Sequence, residues 1–368
     1  MIESQNGIVR NYSVLGVMSG SSLDGLDLAH CQLHKNDQGW YYEIQQATTR
    51  SYPRHLSNSL ASLNTLTAEE LLDLDIRLGA FIGETIRDFI LEKQIDTLDC
   101  IASHGHTAFH NPARGYSLQI GHGATIAAVT HIPVICDFRS LDVALGGQGA
   151  PLVPIGDELF FSDYDYCLNL GGYSNISWQH QGRRLAMDVC PVNKAINLLA
   201  HEAGEEMDRN GEMARQGQVH KPLLKALHSL DYYRQPPPKS LADGWFNSEF
   251  LKTLRSADHL SLNDRLRTLY EHIAVQIARS TPLLSGGKML ATGGGAHNSF
   301  LVECLARQNK NQIVLPDPLL IDYKEALVFA LMGALRITGE INCLSSATGA
   351  RKDSSGGVIH TMKSSIFF

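Results

Sequence analysis

Three glycine-rich turns are the parts of this chain whose residue types could do chemistry. They lie at positions 17–25 (VMSGSSLDG), 170–175 (LGGYSN) and 292–298 (TGGGAHN), and each follows a short apolar run typical of a strand. Glycine lets backbone N–H groups approach an anion without a Cβ in the way, and the neighbouring hydroxyl, amide and carboxyl groups add polar contacts. Three such turns together indicate a nucleotide held between two related lobes.

The first turn combines hydroxyl groups with carboxylates. Ser21 and Ser22 can bind phosphate oxygens, while Asp24 or Asp27 can hold Mg²⁺ directly or through water. The alternative is a polar hairpin tip without a ligand, but a tip rarely needs so many polar side chains. The turn is not a P-loop, because no Gly-Lys-Ser/Thr follows, and it does not fit the Gly-x-Gly-x-x-Gly pattern of dinucleotide sites.

The third turn places three successive glycines between a predicted strand and a predicted helix. Backbone amides at such a position can meet a nucleotide, whereas a simple tight turn needs only one glycine. His297 in this turn is either a ligand contact or an ordinary exposed histidine, and the sequence leaves both interpretations open.

A cluster of histidines follows a predicted strand that ends at position 103. His104, His106 and His110 are spaced so that they can contact a substrate, bind a metal or pack as structural polar groups. Metal binding is the weaker interpretation, because no acidic partner lies nearby and Gly105 predicts a turn that aims two of the histidines at a ligand. Arg139, which closes a later strand, offers a planar fork of donors to an anionic group such as a carboxylate.

Two carboxylates are candidates for acid–base chemistry. Asp188 stands at the end of a predicted strand and is the best general-base candidate, although an aspartate before Pro191 can equally be a helix N-cap. Glu325 begins an apolar helix, where it can simply satisfy the helix dipole. Two carboxylates from separate segments can orient one water, but the sequence does not show that these two meet.

The elements that must position these residues follow an α/β alternation. For the first lobe, periodicity predicts an antiparallel meander, a long covering helix and a strand–helix–strand unit: strands 13–17, 26–33 and 40–47, helix 67–93, strand 98–103, helix 124–130 and strand 134–137. A glycine-dense segment at 145–151 opens the second lobe, which repeats the hairpin-with-glycine-turn arrangement: strands 166–170, 174–178, 288–291 and 312–315, with helices at 193–203, 262–283, from 299, and 322–339.

These elements predict two domains. The first comprises residues 1–140 together with a C-terminal segment, 341–368, that folds back on it; the second comprises residues 141–340 and carries the second and third turns. A chain of 368 residues exceeds what one core usually fills, which agrees with two lobes that share a cleft.

Composition narrows the class of partner. The formal charge of −7, with a longest cationic cluster of Arg183-Arg184, disfavours nucleic acid and anionic lipid as partners. Seven cysteines without a CxxC pair indicate reduced core thiols, and neither a secretory signal nor an apolar stretch of membrane-spanning length is visible. We therefore expect a cytoplasmic protein that binds small molecules; homodimer formation stays open.

The sequence motifs of the chain resemble those of the anhydro-N-acetylmuramic acid kinase family, within the sugar kinase, Hsp70 and actin superfamily. The resemblance runs from about Tyr12 to about Gly357 and is carried by GVMSGSSLDGLDLA, SHGHT, LQIG, DFRSLDVALGGQGAPLVP, NLGGYSNIS, DRNGEMARQGQVH, PPKSLADGWF, GGGAHN and KEALVFALMG. It implies two ribonuclease-H-like α/β lobes with an active-site cleft between them. It also implies an ATP- and Mg²⁺-dependent kinase that turns 1,6-anhydro-N-acetylmuramic acid, a product of cell-wall turnover, into N-acetylmuramate 6-phosphate as water opens the anhydro ring.

The resemblance assigns roles residue by residue. Asp188 would activate the water, Glu325 would be a second catalytic carboxylate, and Asp24 would be a Mg²⁺ ligand. The amino-sugar substrate would contact Ser103, His104, His106 and Arg139. The nucleotide would contact Gly20, Ser21, Ser22, Leu23, Asp24, Gly25, Leu26, Asp27, Gly171, Gly172, Asn175, Gly293, Gly294, Gly295 and Asn298.

The chain departs from the family pattern around the proposed base. The family's usual Asp-Thr-Gly-Pro-Gly-Asn reads Asp188-Val189-Cys190-Pro191-Val192-Asn193 here, and a glutamine common in the family is His106. Loss of two glycines can displace backbone donors that need close approach or positive φ. A kinase for a different sugar, and a nucleotide-dependent sugar-binding protein with weak or no turnover, therefore stay as alternatives.

Overall fold

The structure is a computed structural model that describes residues 10–20, 25–237, 239–281 and 286–362. Its strands are β1 (Arg10–Ser19), β2 (Leu26–Asn36), β3 (Gly39–Arg50), β4 (Cys100–Ser103), β5 (His106–Asn111), β6 (Tyr116–Ile120), β7 (Val134–Cys136), β8 (Tyr166–Leu170), β9 (Tyr173–His180), β10 (Arg183–Pro191), β11 (Lys288–Thr292), β12 (Gln312–Val314) and β13 (Val358–His360). Its helices are α1 (Arg54–Ala61), α2 (Ala68–Lys93), α3 (Gly123–Thr130), α4 (Ser140–Ala144), α5 (Pro154–Phe160), α6 (Asn193–His201), α7 (Glu212–Gln216), α8 (Lys221–His228), α9 (Asp243–Trp245), α10 (Leu251–Arg255), α11 (Leu262–Arg279), α12 (Ser299–Gln308), α13 (Pro318–Ile337) and α14 (Ser345–Thr348). The chain forms two compact units: unit 1 holds the described residues up to Phe160 and from Tyr323 onward, and unit 2 runs from Phe161 to Asp322.

Unit 1 is built on a sheet with strand order β13-β7-β4-β1-β2-β3. The meander β1–β2–β3 is antiparallel, β4 is parallel to β1 and β7 is parallel to β4. Strand β13, from the C-terminal segment, pairs antiparallel with β7. The predicted meander and strand–helix–strand unit are confirmed, whereas the small sheet of β5 and β6 was not predicted.

The long helix α2 covers this sheet as its periodicity predicted. Thr67 and Glu70 form a reciprocal capping box at its N-terminus, in which the Glu70 carboxylate accepts the Thr67 N–H at 2.7 Å. A buried stripe that includes Leu78 and Ile82 faces the core of unit 1. Gly83 brings α3 close, because a Cβ there would lie 2.8 Å from the side chain of Val129.

The structure draws the domain boundaries differently from the sequence. Residues 141–160 and 323–340, predicted in the second lobe, belong to unit 1. Close packing explains this: a Cβ at Gly16 would lie 1.9 Å from the carbonyl oxygen of Ala326, and one at Gly156 would lie 2.3 Å from Val328. These two glycines let α13 pack directly on β1 and on α5, so α5 and most of α13 belong to unit 1.

Unit 2 repeats the connectivity with strand order β10-β9-β8-β11-β12. Strands β8, β9 and β10 form an antiparallel meander, and β11 and β12 continue the sheet in parallel with β8. Three antiparallel strands followed by parallel ones is the ribonuclease-H-like arrangement, so the predicted α/β fold class is confirmed. Among the described residues, no helix combines the length and hydropathy that a membrane span needs.

Candidate functional site

In unit 2 the second and third glycine turns meet at one edge of the sheet. They follow β8 and β11, which are parallel neighbours paired Asn169 to Thr292, so their carboxyl ends lie side by side. Gly293 adopts φ +83°, and a Cβ at this position would lie 2.3 Å from the Oδ1 atom of Asn169. A Cβ at Gly295 would lie 2.9 Å from the carbonyl oxygen of Leu170. Only glycine allows the third turn to lie directly against the end of β8.

The N-terminus of helix α6 supports the second turn. The N–H of Val192 donates to the carbonyl of Gly172 at 2.9 Å, and the N–H of Asn193 donates to that of Gly171 at 3.2 Å. The Asn193 side-chain amide also donates to the carbonyl of Leu170 at 3.0 Å. Asn193 was not among the predicted site residues; its place in the Pro191-Val192-Asn193 run after the base was the only signal.

The glycines at the surface of this edge leave open space. Gly172 and Gly294 are exposed, and a Cβ on either would meet nothing closer than 3.7 Å. Gly293 and Gly295 therefore fix the backbone, and the exposed Gly172 and Gly294 leave room beside it. Such a cradle fits a phosphate group approached by backbone amides.

Asn298 has a structural use that the sequence did not show. It caps α12 by accepting the Leu301 N–H at 3.1 Å, and its amide donates to the hydroxyl of Tyr270 at 2.7 Å and to the carbonyl of Asp208 at 3.1 Å. These bonds use both ends of the side-chain amide. His297, beside it, is exposed and bonds Asp322 at 2.5 Å.

Asp188 lies on β10 at the same edge of the sheet as the glycine turns. It stands opposite Asn175 on β9, which stands opposite Asn169 on β8. Directly opposed residues of antiparallel strands share one face, so these three polar side chains form a row on one face of the sheet. A bulge between Asp188 and Cys190 shifts the register immediately after the carboxylate. Asn169 was not among the predicted site residues, because the sequence alone does not show which residues of neighbouring strands lie opposite each other.

The loop after the polyproline segment holds Asp188 in place. The Asp188 N–H donates to the carbonyl of Lys239 at 3.0 Å, and its Oδ2 atom accepts the Leu241 N–H at 2.8 Å. The hydroxyl of Tyr232 donates to the Asp188 carbonyl at 2.7 Å. Burial raises the pKa of Asp188 to about 6, against a smaller lowering effect of the Leu241 bond. At neutral pH the group is therefore mostly ionised and still basic enough to take a proton.

In unit 1 the first turn joins β1 to β2, and part of it can be described. Ser21, Ser22, Leu23 and Asp24, and with them the predicted Mg²⁺ ligand, lie outside the described residues. Gly20 follows β1 directly, Gly25 is buried and Leu26 is a fully buried core residue. Asp27 accepts the hydroxyl of Thr49 at 2.6 Å.

A hydrogen-bonded chain links this turn to the histidine cluster. The hydroxyl of Tyr52 donates to the Oγ atom of Ser19 at 2.7 Å, and Ser19 bonds the Nδ1 atom of His106 at 2.8 Å. The Ser19 hydroxyl therefore joins the Tyr52 hydroxyl to the imidazole of His106. Burial lowers the pKa of His106, which keeps the ring neutral at physiological pH.

His104 and Arg139 form a buried pair at the ends of β4 and β7. The Nδ1 atom of His104 bonds the Gly105 carbonyl at 2.7 Å, and its Nε2 atom accepts from Nε and Nη2 of Arg139 at 3.0 and 2.8 Å. The Nη1 atom of Arg139 donates to the carbonyl of Gly149 at 2.5 Å. Burial, then the charge of Arg139, lowers the pKa of His104 well below its usual value, so the ring is neutral.

Arg139 stays charged and keeps donors to offer. Burial lowers its pKa only to about 10, and the charge of Glu325 is the largest opposing influence. The bonds to His104 and Gly149 leave one N–H on each terminal nitrogen. Ser103 is fully buried, and its hydroxyl finds no partner within the described part of the chain. Unit 1 therefore gathers all four predicted sugar contacts, together with Glu325, in one neighbourhood.

Among the described residues, no group of three or more histidine, cysteine or carboxylate side chains is arranged to hold a metal ion. The histidine cluster is instead hydrogen-bonded to Ser19, Arg139 and the backbone, and His110 bonds Ser117 at 3.0 Å. The alternative of a histidine metal site is therefore not supported.

A family model described as anhydro-N-acetylmuramic acid kinase matches residues 12–362. The anhydro-N-acetylmuramic acid kinase of Sulfurovum sp. (strain NBC37-1) is 35% identical over 358 residues, which cover 94% of this chain and 98% of that protein. The protein of the same name from Actinobacillus pleuropneumoniae serotype 5b (strain L20) is 35% identical over 366 residues, with the same two coverages. Component A of (R)-2-hydroxyglutaryl-CoA dehydratase from Acidaminococcus fermentans, a solved structure, is 12% identical, covers 87% of this chain and 96% of its own, and has a TM-score of 0.44.

Proposed function

This chain belongs to the anhydro-N-acetylmuramic acid kinase family, and we propose that it converts 1,6-anhydro-N-acetylmuramic acid, water and ATP into N-acetylmuramate 6-phosphate and ADP. The observation that carries the proposal is the position of Asp188. A carboxylate with a raised pKa lies on the same sheet edge as two glycine turns suited to phosphate.

Asp188 acts as the general base in this proposal. It takes a proton from water, whose oxygen forms a bond to the anomeric carbon C1 while the C1–O6 bond breaks. The electron pair of that bond leaves with O6, which becomes the phosphoryl acceptor. Because O6 is itself the nucleophile toward phosphorus, no separate acid has to protonate it. Glu325, beside Arg139, remains the proposed second catalytic carboxylate.

ATP supplies the phosphoryl group that O6 receives, and Mg²⁺ neutralises its phosphate charge. We assign the nucleotide to the turns at Gly171-Gly172 and Gly293 to Gly295, where exposed glycines leave a cradle, and to the residues from Gly20 to Asp27. Asp24 remains the proposed Mg²⁺ ligand.

The sugar contacts are proposed for Ser103, His104, His106 and Arg139. A muramic sugar carries a lactyl carboxylate, and the two unused N–H groups of Arg139 suit such an anion. The neutral histidines and the buried hydroxyl of Ser103 offer donors and acceptors to sugar hydroxyl and acetamido groups.

Two further proposals concern the setting of the reaction. All seven cysteines are free thiols, the state that a reducing compartment maintains, so we propose a cytoplasmic location. Homodimer formation also stays a proposal, and sedimentation of the purified protein tests it.

An isotope experiment tests the proposed reaction. The protein is incubated with ATP, Mg²⁺ and the anhydro sugar in H₂¹⁸O, and the product is analysed promptly by mass spectrometry. We expect one ¹⁸O at the anomeric hydroxyl and none in the phosphate ester. A phosphorylated sugar that keeps its anhydro ring, or turnover only with other amino sugars, contradicts the proposal; sugar binding without ADP release favours the non-catalytic alternative.

A further inference from the structure

Unit 2 contains a cavity of about 460 Å³ that the proposed reaction does not use. One wall is a row of register partners across three strands, Tyr166 on β8, Trp178 on β9 and Leu185 on β10. Tyr166 begins β8, whereas the second glycine turn follows its last residue, Leu170, about 13 Å away at 3.3 Å per residue. The cavity therefore begins at the opposite end of the sheet from the glycine turns.

Strand alternation also separates the cavity from the proposed base. Met187 and Val189 line the cavity, and Asp188 lies between them in the strand. Successive side chains of a strand point to opposite faces, so Asp188 belongs to the other face of β10. The cavity is thus a second site in unit 2, next to the backbone of the first but on the other side of the sheet.

Two buried donors on the cavity wall have no acceptor. The indole N–H of Trp178 and the side-chain amide nitrogen of Gln276 lack hydrogen-bond partners within the described residues, although the two side chains are only 7% and 4% exposed. Buried polar groups in native proteins are nearly always satisfied by protein, water or ligand. Both side chains also line the cavity, so a molecule there that carries acceptor oxygens satisfies these donors once the side chains turn toward it.

The charge of the lining has one sign. Arg234, Lys239 and Arg279 line the cavity together with two histidines, and no aspartate or glutamate stands among its described lining residues. Arg234 is paired with Asp231, the half-buried Lys239 donates its ammonium to the Tyr232 carbonyl at 3.1 Å, and Arg279 is exposed. The charged side chains among the described lining residues are thus all cationic, although the whole chain has a formal charge of −7. Such a cavity favours anions as ligands.

We propose that this cavity binds a small organic anion, with an apolar planar body against Tyr166 and Trp178 and an acidic group toward Arg279 and Lys239, and that its occupancy alters the activity of Asp188. The coupling is local. Lys239 lines the cavity and its carbonyl holds the N–H of Asp188 at 3.0 Å, and two residues on, Leu241 donates to the Asp188 carboxylate. An anion that displaces Lys239 therefore moves the support of the base. This second part rests on the proposed function.

The fluorescent anion 8-anilinonaphthalene-1-sulfonate, which joins an aromatic body to a sulfonate, is a direct probe. We expect saturable binding to the full-length folded protein with one site, and about tenfold weaker binding by the R279Q variant, since one charge contact to an anion is removed. K310Q is the matched control, because Lys310 is an exposed cation of unit 2 that does not line the cavity. Equal affinity in R279Q and the wild type, with unchanged melting temperatures, overturns the site.

A Q276L variant provides a second test of the site. It removes an unpartnered amide without adding charge, so we expect a stable protein with weakened probe binding. Kinase assays at saturating probe then test the coupling: a change in kcat of at least twofold supports it, and an unchanged kcat overturns it. Probe binding does not depend on turnover, so failure of the proposed reaction and failure of this site are distinguishable.

Discussion

Replacing Asp188 by asparagine is the sharpest test of the proposed chemistry. Asparagine keeps the shape of the side chain and an oxygen that can accept the Leu241 N–H, but it cannot take a proton from water. A positioned general base contributes about 100-fold to about 10,000-fold to a rate. We therefore expect D188N to lose at least about 100-fold in kcat, with Michaelis constants changed by less than about threefold.

The same substitution has a predictable effect on stability. Burial raises the pKa of Asp188 from its ordinary value of 3.8 to about 6, so the folded state loses stability as pH rises from about 3.8 to about 6 and carries the full cost of the ionised carboxylate above that. That rise corresponds to about 3 kcal/mol, and partial solvent contact of the side chain reduces the expected effect to about 1–2 kcal/mol. At pH 7.5, D188N should therefore melt at the same temperature as the wild type or higher.

Three measurements complete this test. ADP release and product formation with the anhydro sugar give kcat, thermal unfolding gives stability, and the pH dependence of kcat/KM should rise to a plateau with a midpoint near pH 6 in the wild type. D165N is the matched control: Asp165 accepts the Lys288 N–H at 2.7 Å before the first residue of β8, at the other end of the strands. The reasoning is refuted if D188N retains more than a tenth of wild-type kcat, or if D165N loses activity equally while both proteins remain folded.

Three other substitutions test separate parts of the site. G293A should raise the Michaelis constant for ATP at least about tenfold, because a Cβ at this position would lie 2.3 Å from the side chain of Asn169. G182A is the control, since Gly182 also has a positive φ, +74°, but a Cβ there would meet nothing within 4 Å. Equal effects of the two substitutions on the Michaelis constant for ATP would contradict the proposed phosphate cradle. R139K should raise the Michaelis constant for the sugar at least about fivefold, because lysine cannot bond His104 and also present a fork; unchanged sugar kinetics would remove Arg139 from the sugar site. T67A should lower the free energy of unfolding by about 1 kcal/mol in a denaturant titration without changing kcat, through loss of the α2 cap.

Local signals in the sequence were sufficient for most elements. Strand β8 was predicted with the bounds that it has in the structure. Helix α2 was predicted within one residue, because its capping pair and its helical apolar period involve residues that are close together in the sequence. The β5–β6 hairpin was missed because β5 (HTAFHN) shows no alternation, although β6 (YSLQI) does alternate apolar and polar residues. The domain boundaries differed because Gly16 and Gly156 act through contacts with α13, more than 150 residues away in sequence.

The candidate site shows the same division between local and long-range information. Glycine turns and the isolated Asp188 were recognisable from residue type, and the resemblance to the family added their roles. Asn169 and Asn193 were not recognised as site residues. The position of Asn169 opposite Asn175 follows from strand register, and the role of Asn193 follows from the contact between the start of helix α6 and the second turn. Asn298 was predicted to bind the nucleotide from its place in a turn, whereas its side-chain bonds are those of a helix cap.

The residues after Asp188 differ from the usual sequence of the family, and this difference bears on whether Asp188 can act as a general base. Val192 occupies a position where the family has glycine, yet it has φ −122° and its N–H still reaches the carbonyl of Gly172, so no left-handed conformation is required. Val189 and Cys190 are buried at 2% and 0% exposure, so the strand that carries Asp188 stays in the core after the departure. Apolar surroundings raise the pKa of a carboxyl group, and a base with a pKa near 6 is stronger than an ordinary aspartate while about nine-tenths ionised at pH 7. The loop therefore keeps its contact with the second glycine turn, and the buried carboxylate keeps the pKa of a base, which favours retained activity over loss of the base.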